Sequence, residues 1–523
     1  LMAQAQHTAS QGAKHPYLIS FSVVLASLLY SIDWTIAVVA LPHMQGAFSA
    51  TQDQISWVIT SYIVASAIMI PMAGWLSNRF GRKRVYVLAV AGFTLTSIVC
   101  GSVSTLTFEV IARVAQGMCG AFLVPLSLAI MLDAFPEEEH PKAMAIWGIG
   151  WAGSFIGPIL GGVLTEYLSW RYIFFINIPF GIVALIGCLL FLPKDVPSKI
   201  KEQLDWFGFL TLAIGIASLQ MMLDRGQRLD WFDSGEIIFE GCLALTALYM
   251  FNVHVMTKKN PFLDPKLFLE RNFFLALILV AFYGLLTVPP MVLLPAFLEG
   301  LIGYEIVDVG ILQSSRGLGV LLAMFLSNKI AGIINVKVQI AFGLSCLGIS
   351  ALTIAFWTSD VGVWPILWTG FVSGIGSGIL MVPAQMVAFS RVIAAKRNEG
   401  AAVFNLVRTM FSSVGVSVIL AIFIYAGATG RTELVENVNV FNDALVNAPV
   451  ASEGYNLETS KSLTMLENEV DRQAELQGYV ASFFVLAIAS FMAIPIVFLI
   501  RRVEIKGRGG GKNVKESQLV AAE

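Results

Sequence analysis

The chain has 523 residues and a net charge of −2; 57% of its residues are apolar, only 13% are charged, and the mean hydropathy is +0.76. Soluble domains carry about a quarter charged residues, so a chain this apolar has no means of covering its surface in water and needs lipid as solvent. The near-zero charge leaves no electrostatic footprint for nucleic acid, and the five scattered cysteines (Cys100, Cys119, Cys188, Cys242, Cys346) form neither a disulfide framework nor a zinc spacing and read as buried thiols.

Apolar runs divided by charged or Pro/Gly breaks predict an all-α polytopic membrane protein with fourteen spans. They lie near 17–42, 55–77, 84–103, 106–132, 141–165, 172–192, 206–223, 233–255, 272–298, 307–327, 338–357, 362–389, 400–428 and 479–500. The first is too long for a cleaved signal peptide and is followed by many more. The organisation read from this is a tail (1–16), a six-helix bundle (17–192), a linker (193–204), two inserted helices (205–256), a second six-helix bundle (257–500) containing a long loop at 429–478, and a basic tail (501–523).

Lysine and arginine orient the chain. With the N-terminus inside, 24 of the 33 basic residues fall on the cytoplasmic side, Arg171, Arg225, Arg228, Arg431, Lys461 and Arg472 fall outside, and Arg113, Arg316 and Arg408 lie within spans. Both termini are then expected in the cytoplasm. The loop at 429–478 holds nine acids against three bases, and Leu463, Leu466, Val470 and Ala474 are spaced as one face of a short amphipathic helix.

Three patterns recur in order. Leu76-Ser-Asn-Arg79 leaves the second span and Leu326-Ser-Asn-Lys329 the tenth; Gly120-x-x-x-Val124-Pro125 returns as Gly378-x-x-x-Val382-Pro383, and Ser154-x-x-Gly157 as Ser412-x-x-Gly415. Parallel repeats of this kind imply two six-helix halves with spans seven and eight inserted between them, and a substrate cavity between the halves near the bilayer midplane.

Several motifs carry more specific content. The loop after span two reads Gly74-Trp-Leu-Ser-Asn78-Arg79-Phe-Gly81-Arg82-Lys83-Arg84, with glycines for a tight turn and bases placed to pair across the interface between halves. Span four carries Arg113-x-x-Gln116-Gly117, and span five carries Gly153-x-x-x-Gly157-Pro158-x-x-Gly161-Gly162, small residues that allow close packing around a kink. This set resembles the major facilitator superfamily over residues 17–500, and within it the fourteen-helix drug:proton antiporters, with Asn78 standing where the family's loop motif carries an acid. The segments Trp170–Pro179 and Gly215–Ile238 narrow the likeness to the EmrB/FarB-like branch of multidrug efflux subunits. That resemblance implies proton-driven export across a Gram-negative inner membrane. It also implies partnership with an EmrA-like periplasmic adaptor and a TolC-like outer-membrane channel, the acidic loop being the natural adaptor contact. By the same analogy the cavity is lined by Trp34, Gln116, Phe282, Tyr283, Met291, Trp368, Phe371, Met381 and Gln385; aromatic and Met side chains with a few polar groups suit bulky amphipathic drugs.

Charges inside the membrane are costly unless paired or hydrated, and so point to function. Asp33 and Arg113 lie at similar depth, roughly 10–14 Å below the outer surface at ~1.5 Å rise per residue, so they are placed to pair. Asp33 is the expected proton carrier, tuned by Arg113, with a purely structural ion pair as the alternative; Glu109, one turn before Arg113, is the second candidate carrier. Arg316 either lines the cavity and attracts anions or snorkels outward, and Arg408 reads as a conformational latch. No phosphate loop, metalloprotease helix or nucleophile elbow is present, so neither ATP-driven pumping nor hydrolase chemistry is expected, and no cofactor beyond the proton gradient is needed. Export of a specific anionic metabolite, fatty acid or siderophore, and uptake by symport, are the alternatives.

Overall fold

The computed structural model describes residues 15–136, 139–194, 204–258, 261, 263–330, 333–393, 396–438 and 460–501. The N-terminal tail before residue 15, most of the 193–204 linker, the centre of the acidic loop and the basic tail after Arg501 lie outside these. Among the described residues, thirteen helices are long and apolar enough to cross a membrane, and a bent pair makes a fourteenth span.

That pair is the second span, Gln52–Met69 and Met72–Phe80, which turns by 56° at the Ile70-Pro71 break. Proline at the break removes an i→i−4 hydrogen bond, enough to bend a helix. A reciprocal cap at Thr51 and Gln54 starts it (3.1 and 3.3 Å). The turn into the third span (Arg82–Ser102) runs through Gly81 at φ +96°, a conformation that glycine alone adopts at no steric cost. The inserted seventh and eighth spans, Trp206–Arg225 and Gly235–Thr257, form a hairpin. Asp205 at the start of span seven accepts from Gly208 N (3.1 Å), contacts His254 (2.9 Å) and pairs with Lys258 Nζ (2.8 Å), tying both ends of the hairpin together.

The inserted pair also joins both halves. Toward the first half, Thr60 Oγ1 bonds to Asp224 and Arg228 Nη1 donates to Ser56 Oγ (2.6 Å). Toward the second, Gln220 Nε2 donates to Ser413 Oγ (2.5 Å) and Ser417 Oγ donates to Leu223 O (2.6 Å). Span seven therefore acts as a strap between spans two and thirteen.

Two findings depart from the sequence expectations. Span thirteen is a 41-residue helix, Arg397–Asn437, and span fourteen a 39-residue helix, Ser460–Phe498. At 1.5 Å per residue each is about 60 Å long, twice the hydrocarbon thickness, so the flanks of the 429–478 segment are helical stalk rather than loop. Leu466 is half-buried, and Val470 and Ala474 are buried against the thirteenth span, where Gly427 and Gly430 leave room; Leu463 is exposed. Arg431 pairs with Asp471 (2.6 Å) across the stalk. The amphipathic stripe is thus a continuation of a membrane helix, which apolar-run reading ended too early because its outer turns are charged. The second departure is Cys242, which is exposed on the eighth span, while Cys100, Cys188 and Cys346 are buried and Cys119 partly so.

Candidate functional site

The core of the N-terminal bundle holds a closed polar cluster. Asp33 in the first span (Pro16–Phe48) is fully buried, as is Arg113 in the fourth (Leu106–Ala134). Arg113 Nη1 donates to Asp33 Oδ2 (2.7 Å) and to Gln116 Oε1 (2.7 Å); Gln116 Nε2 donates to Asp33 Oδ1 (2.8 Å) and Ser97 Oγ (2.9 Å). Asn177 Nδ2, from the sixth span, completes the set at 3.0 Å from Asp33 Oδ1. Arg113 Nε donates to Val58 O (3.1 Å), and its guanidinium lies 4.3 Å from the Tyr62 ring centroid. Five spans thus contribute to one buried cluster around Asp33. A buried ion pair is tolerated where further hydrogen bonds satisfy its remaining lone pairs and protons, and here they do.

The sequence pairing of Asp33 with Arg113 is therefore present. Gln116 belongs to this cluster and not to a surface between the halves: its three-residue spacing from Arg113 puts both on one helix face, directed inward. Asn177, Ser97 and Tyr62 were not identified from sequence; Asn177 lies inside the Trp170–Pro179 motif, which was the available signal. Glu109 is also fully buried, and neither of its carboxylate oxygens has a hydrogen-bond partner among the described residues.

The small-residue motif of span five seats the helix that carries Asp33. A Cβ on Gly153 would come within 2.2 Å of Ser31 Oγ, and one on Gly157 within 2.0 Å of Thr35 Oγ1; Gly161 rests on Ile36. Ser31 Oγ in turn donates to Gly150 O (2.6 Å). Gly162 is buried, while Pro158 and Ile159 face Gly310 of span ten (Ile306–Ile330), where the two halves meet. Further along this seam Gly148 abuts Met324.

On the face bearing the Arg79–Arg84 cluster, Gly74 lies against the Glu399 backbone at the start of span thirteen. Asn78 and Arg79 are exposed, and Lys83 Nζ caps the sixth span at Leu189 O and Leu192 O (2.7 Å each). Arg82 pairs with Asp133, and Arg397 of the other half reaches the same carboxylate (3.6 Å). The bridge between halves is thus built on Asp133, a residue that pattern reading passed over because it ends an apolar helix fifty residues away from the loop motif.

The C-terminal bundle is different. Arg408 of span thirteen stacks on Trp151 of span five, 4.7 Å from the ring centroid, a cation–π contact between the halves. Arg316 is buried, and among the described residues its hydrogen bonding is Nη2 to Thr287 O (2.7 Å), with Nε unpartnered and no carboxylate paired to it. Of the residues expected to line a cavity between halves, Trp34, Phe282, Tyr283, Met291, Trp368 and Phe371 are partly buried, whereas Met381 and Gln385 are fully buried, the Gln385 amide without a partner. A cavity lies inside the C-terminal bundle, among spans nine, ten, eleven, twelve and fourteen, and of the expected lining residues Arg316 alone reaches it. Among the described residues no group of three or more His, Cys, Asp or Glu side chains is placed to hold a metal ion.

The family model for the Major Facilitator Superfamily matches residues 23–416. Over nearly their full lengths (94% of this chain and 97% of each relative), the chain is 30% identical to the fatty acid resistance protein FarB of Neisseria gonorrhoeae and 28% identical to the multidrug export protein EmrB of Escherichia coli strain K12. Among solved structures, it is similar in fold to the human organic anion transporter MFSD10 (TM-score 0.60, 15% identity, 92% of this chain and 99% of that one). It is likewise similar to the proton:xylose symporter XylE (TM-score 0.60, 14% identity, 95% and 98%).

Proposed function

The chain belongs to the major facilitator superfamily, and we propose that it is a proton-coupled antiporter that exports hydrophobic or amphipathic toxic compounds across a bacterial inner membrane by alternating access. The observation that carries the coupling is the Asp33–Arg113–Gln116–Asn177 cluster. The Asp33 carboxylate accepts from three donors, Arg113 among them at 2.7 Å; in this reading, movement of span four away from span one exchanges the Arg113 counter-ion for the transported proton. The Gly153–Gly161 face on span one and the Pro158–Ile159 face on span ten join that movement to the rocking of the halves.

The closed Arg82–Asp133–Arg397 bridge holds the basic face shut while the opposite face exchanges substrate for a proton. Both termini are cytoplasmic in this reading. A charge moved through 100 mV is worth ~2.3 kcal/mol, so even one proton per cycle sustains export. The relatives named for multidrug export and fatty acid resistance support the exporter direction. A periplasmic adaptor docking on the long stalk of spans thirteen and fourteen, and an outer-membrane channel beyond it, complete the pathway.

The test is accumulation of a fluorescent amphipathic drug in cells expressing wild type or Asp33→Asn, before and after the proton gradient is collapsed. Wild type keeps the drug out, and either perturbation raises it. Unchanged accumulation under both perturbations overturns the reading. Replacing residues 429–478 with a short Gly/Ser linker is expected to abolish export through the outer membrane while sparing drug binding; export that survives the replacement removes the stalk from the adaptor interface.

A further inference from the structure

The buried arginine of the C-terminal bundle has no place in the cycle above. Arg316 is 6% exposed and its Nη2 turns inward to Thr287 O (2.7 Å), so the outward-snorkelling alternative is excluded. Ten residues separate it from the start of its helix at Ile306, which puts it ~15 Å along span ten, near the middle of the membrane. A Cβ on Gly374 would meet Arg316 O at 2.0 Å, so spans ten and twelve touch backbone to backbone here and hold the residue in place.

A guanidinium does not shed its proton inside a protein, so this charge needs a counter-charge. Burying it unpaired is costly, and a single carbonyl offsets only part of the cost. Among the described residues no carboxylate pairs with Arg316, and its Nε has no acceptor. The phenol of Tyr283, uncharged at neutral pH, faces Arg316 and also Arg408, a second guanidinium with no carboxylate among the described residues. The interior of this bundle is therefore positive.

The cavity that Arg316 lines supplies room and donors. Its volume is about 30 Å³, which holds one or two water-sized occupants and no organic acid with a body behind its head group. Gln313, one helical turn before Arg316, lines it as well. So do Trp357 Nε1 and Ser490 Oγ, both buried and both without a partner. The groups left unsatisfied around this space are thus N–H and O–H donors, and what they lack is an acceptor. Water accepts but brings no charge. A monatomic anion accepts from every direction, fits the volume and balances the guanidinium.

We propose that this cavity is a halide site: a resident chloride ion held by Arg316 Nε–H and the neighbouring donors, serving as counter-ion to the C-terminal bundle and not as cargo. The site stands apart from the export reading, since it needs neither a proton gradient nor a drug. A ligand that binds the folded chain and not the unfolded one raises the unfolding midpoint by mass action, so occupancy is readable as stability.

The experiment is thermal unfolding of the purified full chain in a non-ionic detergent, with sodium chloride or bromide replacing sodium gluconate at constant ionic strength. Excess broadening of the chloride NMR line by the same samples gives binding directly. Wild type is expected to gain ~2 °C in midpoint, saturably, with either halide, and to broaden the line. Arg316→Gln loses both effects, Arg316→Lys keeps part of each, and Arg408→Gln keeps both in full. Ala351→Leu, which fills the cavity and leaves the arginine in place, loses them as Arg316→Gln does. A wild-type midpoint and linewidth indifferent to chloride mean that the cavity holds water alone, and overturn the site. Undiminished halide effects in Ala351→Leu overturn its location, even if Arg316→Gln fails to fold; so does loss of the effects in Arg408→Gln with Arg316→Gln unaffected. Neither result touches export, and a chain that exports nothing in cells can still show the full halide response.

Discussion

The two bundles treat buried charge in opposite ways. In the first, Asp33 and Arg113 are paired at 2.7 Å, and the carboxylate accepts further hydrogen bonds from spans four and six. In the second, Arg316 has one carbonyl acceptor and Arg408 an indole face. An ion pair whose carboxylate accepts three donors is internally balanced and changes only when its helices separate, which suits a coupling site. An arginine left short of partners is balanced only when an anion joins it, which suits an ion site. The two halves thus hold their buried charge in different ways, and they meet along the span five–span ten seam.

Mutations that break the comparison follow in order of size. Arg113→Met strands a buried carboxylate and should cost ~3–5 kcal/mol in unfolding measurements, whereas Arg316→Met strands no counter-ion and should leave stability unchanged or raise it. Equal losses for the two would erase the distinction. Gly157→Val forces a Cβ into Thr35 Oγ1 and displaces the helix carrying Asp33; ~1–3 kcal/mol of overpacking strain is expected, together with loss of gradient-driven transport. Glu109→Gln is isosteric at a site whose oxygens have no partners, so stability should change by less than ~1 kcal/mol and transport should persist. Transport lost with Glu109→Gln but kept with Asp33→Asn would move the proton carrier from span one to span four. Smallest of all, Arg431→Ala removes an exposed pair on the stalk and should leave the unfolding midpoint where it was, its only reading being adaptor affinity.

Much of this was legible in the residues. Spans follow from apolar length, and the pairing of Asp33 with Arg113 from depth along two helices. The small residues of span five announced close packing, although which helix they face is a tertiary fact: only the structure directs Gly153 and Gly157 to span one and Pro158 to span ten. Gln116 was assigned to a cavity between halves by analogy, because periodicity shows that it shares a face with Arg113 but not what that face meets. Asp133 and Asn177 escaped for a related reason. Each is one polar residue at the end of an apolar helix, and its partners lie on other spans. The stalk was missed because hydropathy ends a span where charges begin, while the helix itself continues as long as its backbone bonds and the Val470–Ala474 stripe are satisfied by a neighbour.

In the proposed cycle, Asp33 couples the gradient without holding the substrate. The direct test measures, on the same preparations of wild type and Asp33→Asn, equilibrium binding of a fluorescent amphipathic drug and its gradient-driven accumulation in everted vesicles. Wild-type affinity with accumulation lost in Asp33→Asn is the predicted result. Undiminished accumulation by Asp33→Asn would contradict it and return the buried cluster of the first bundle to a structural role.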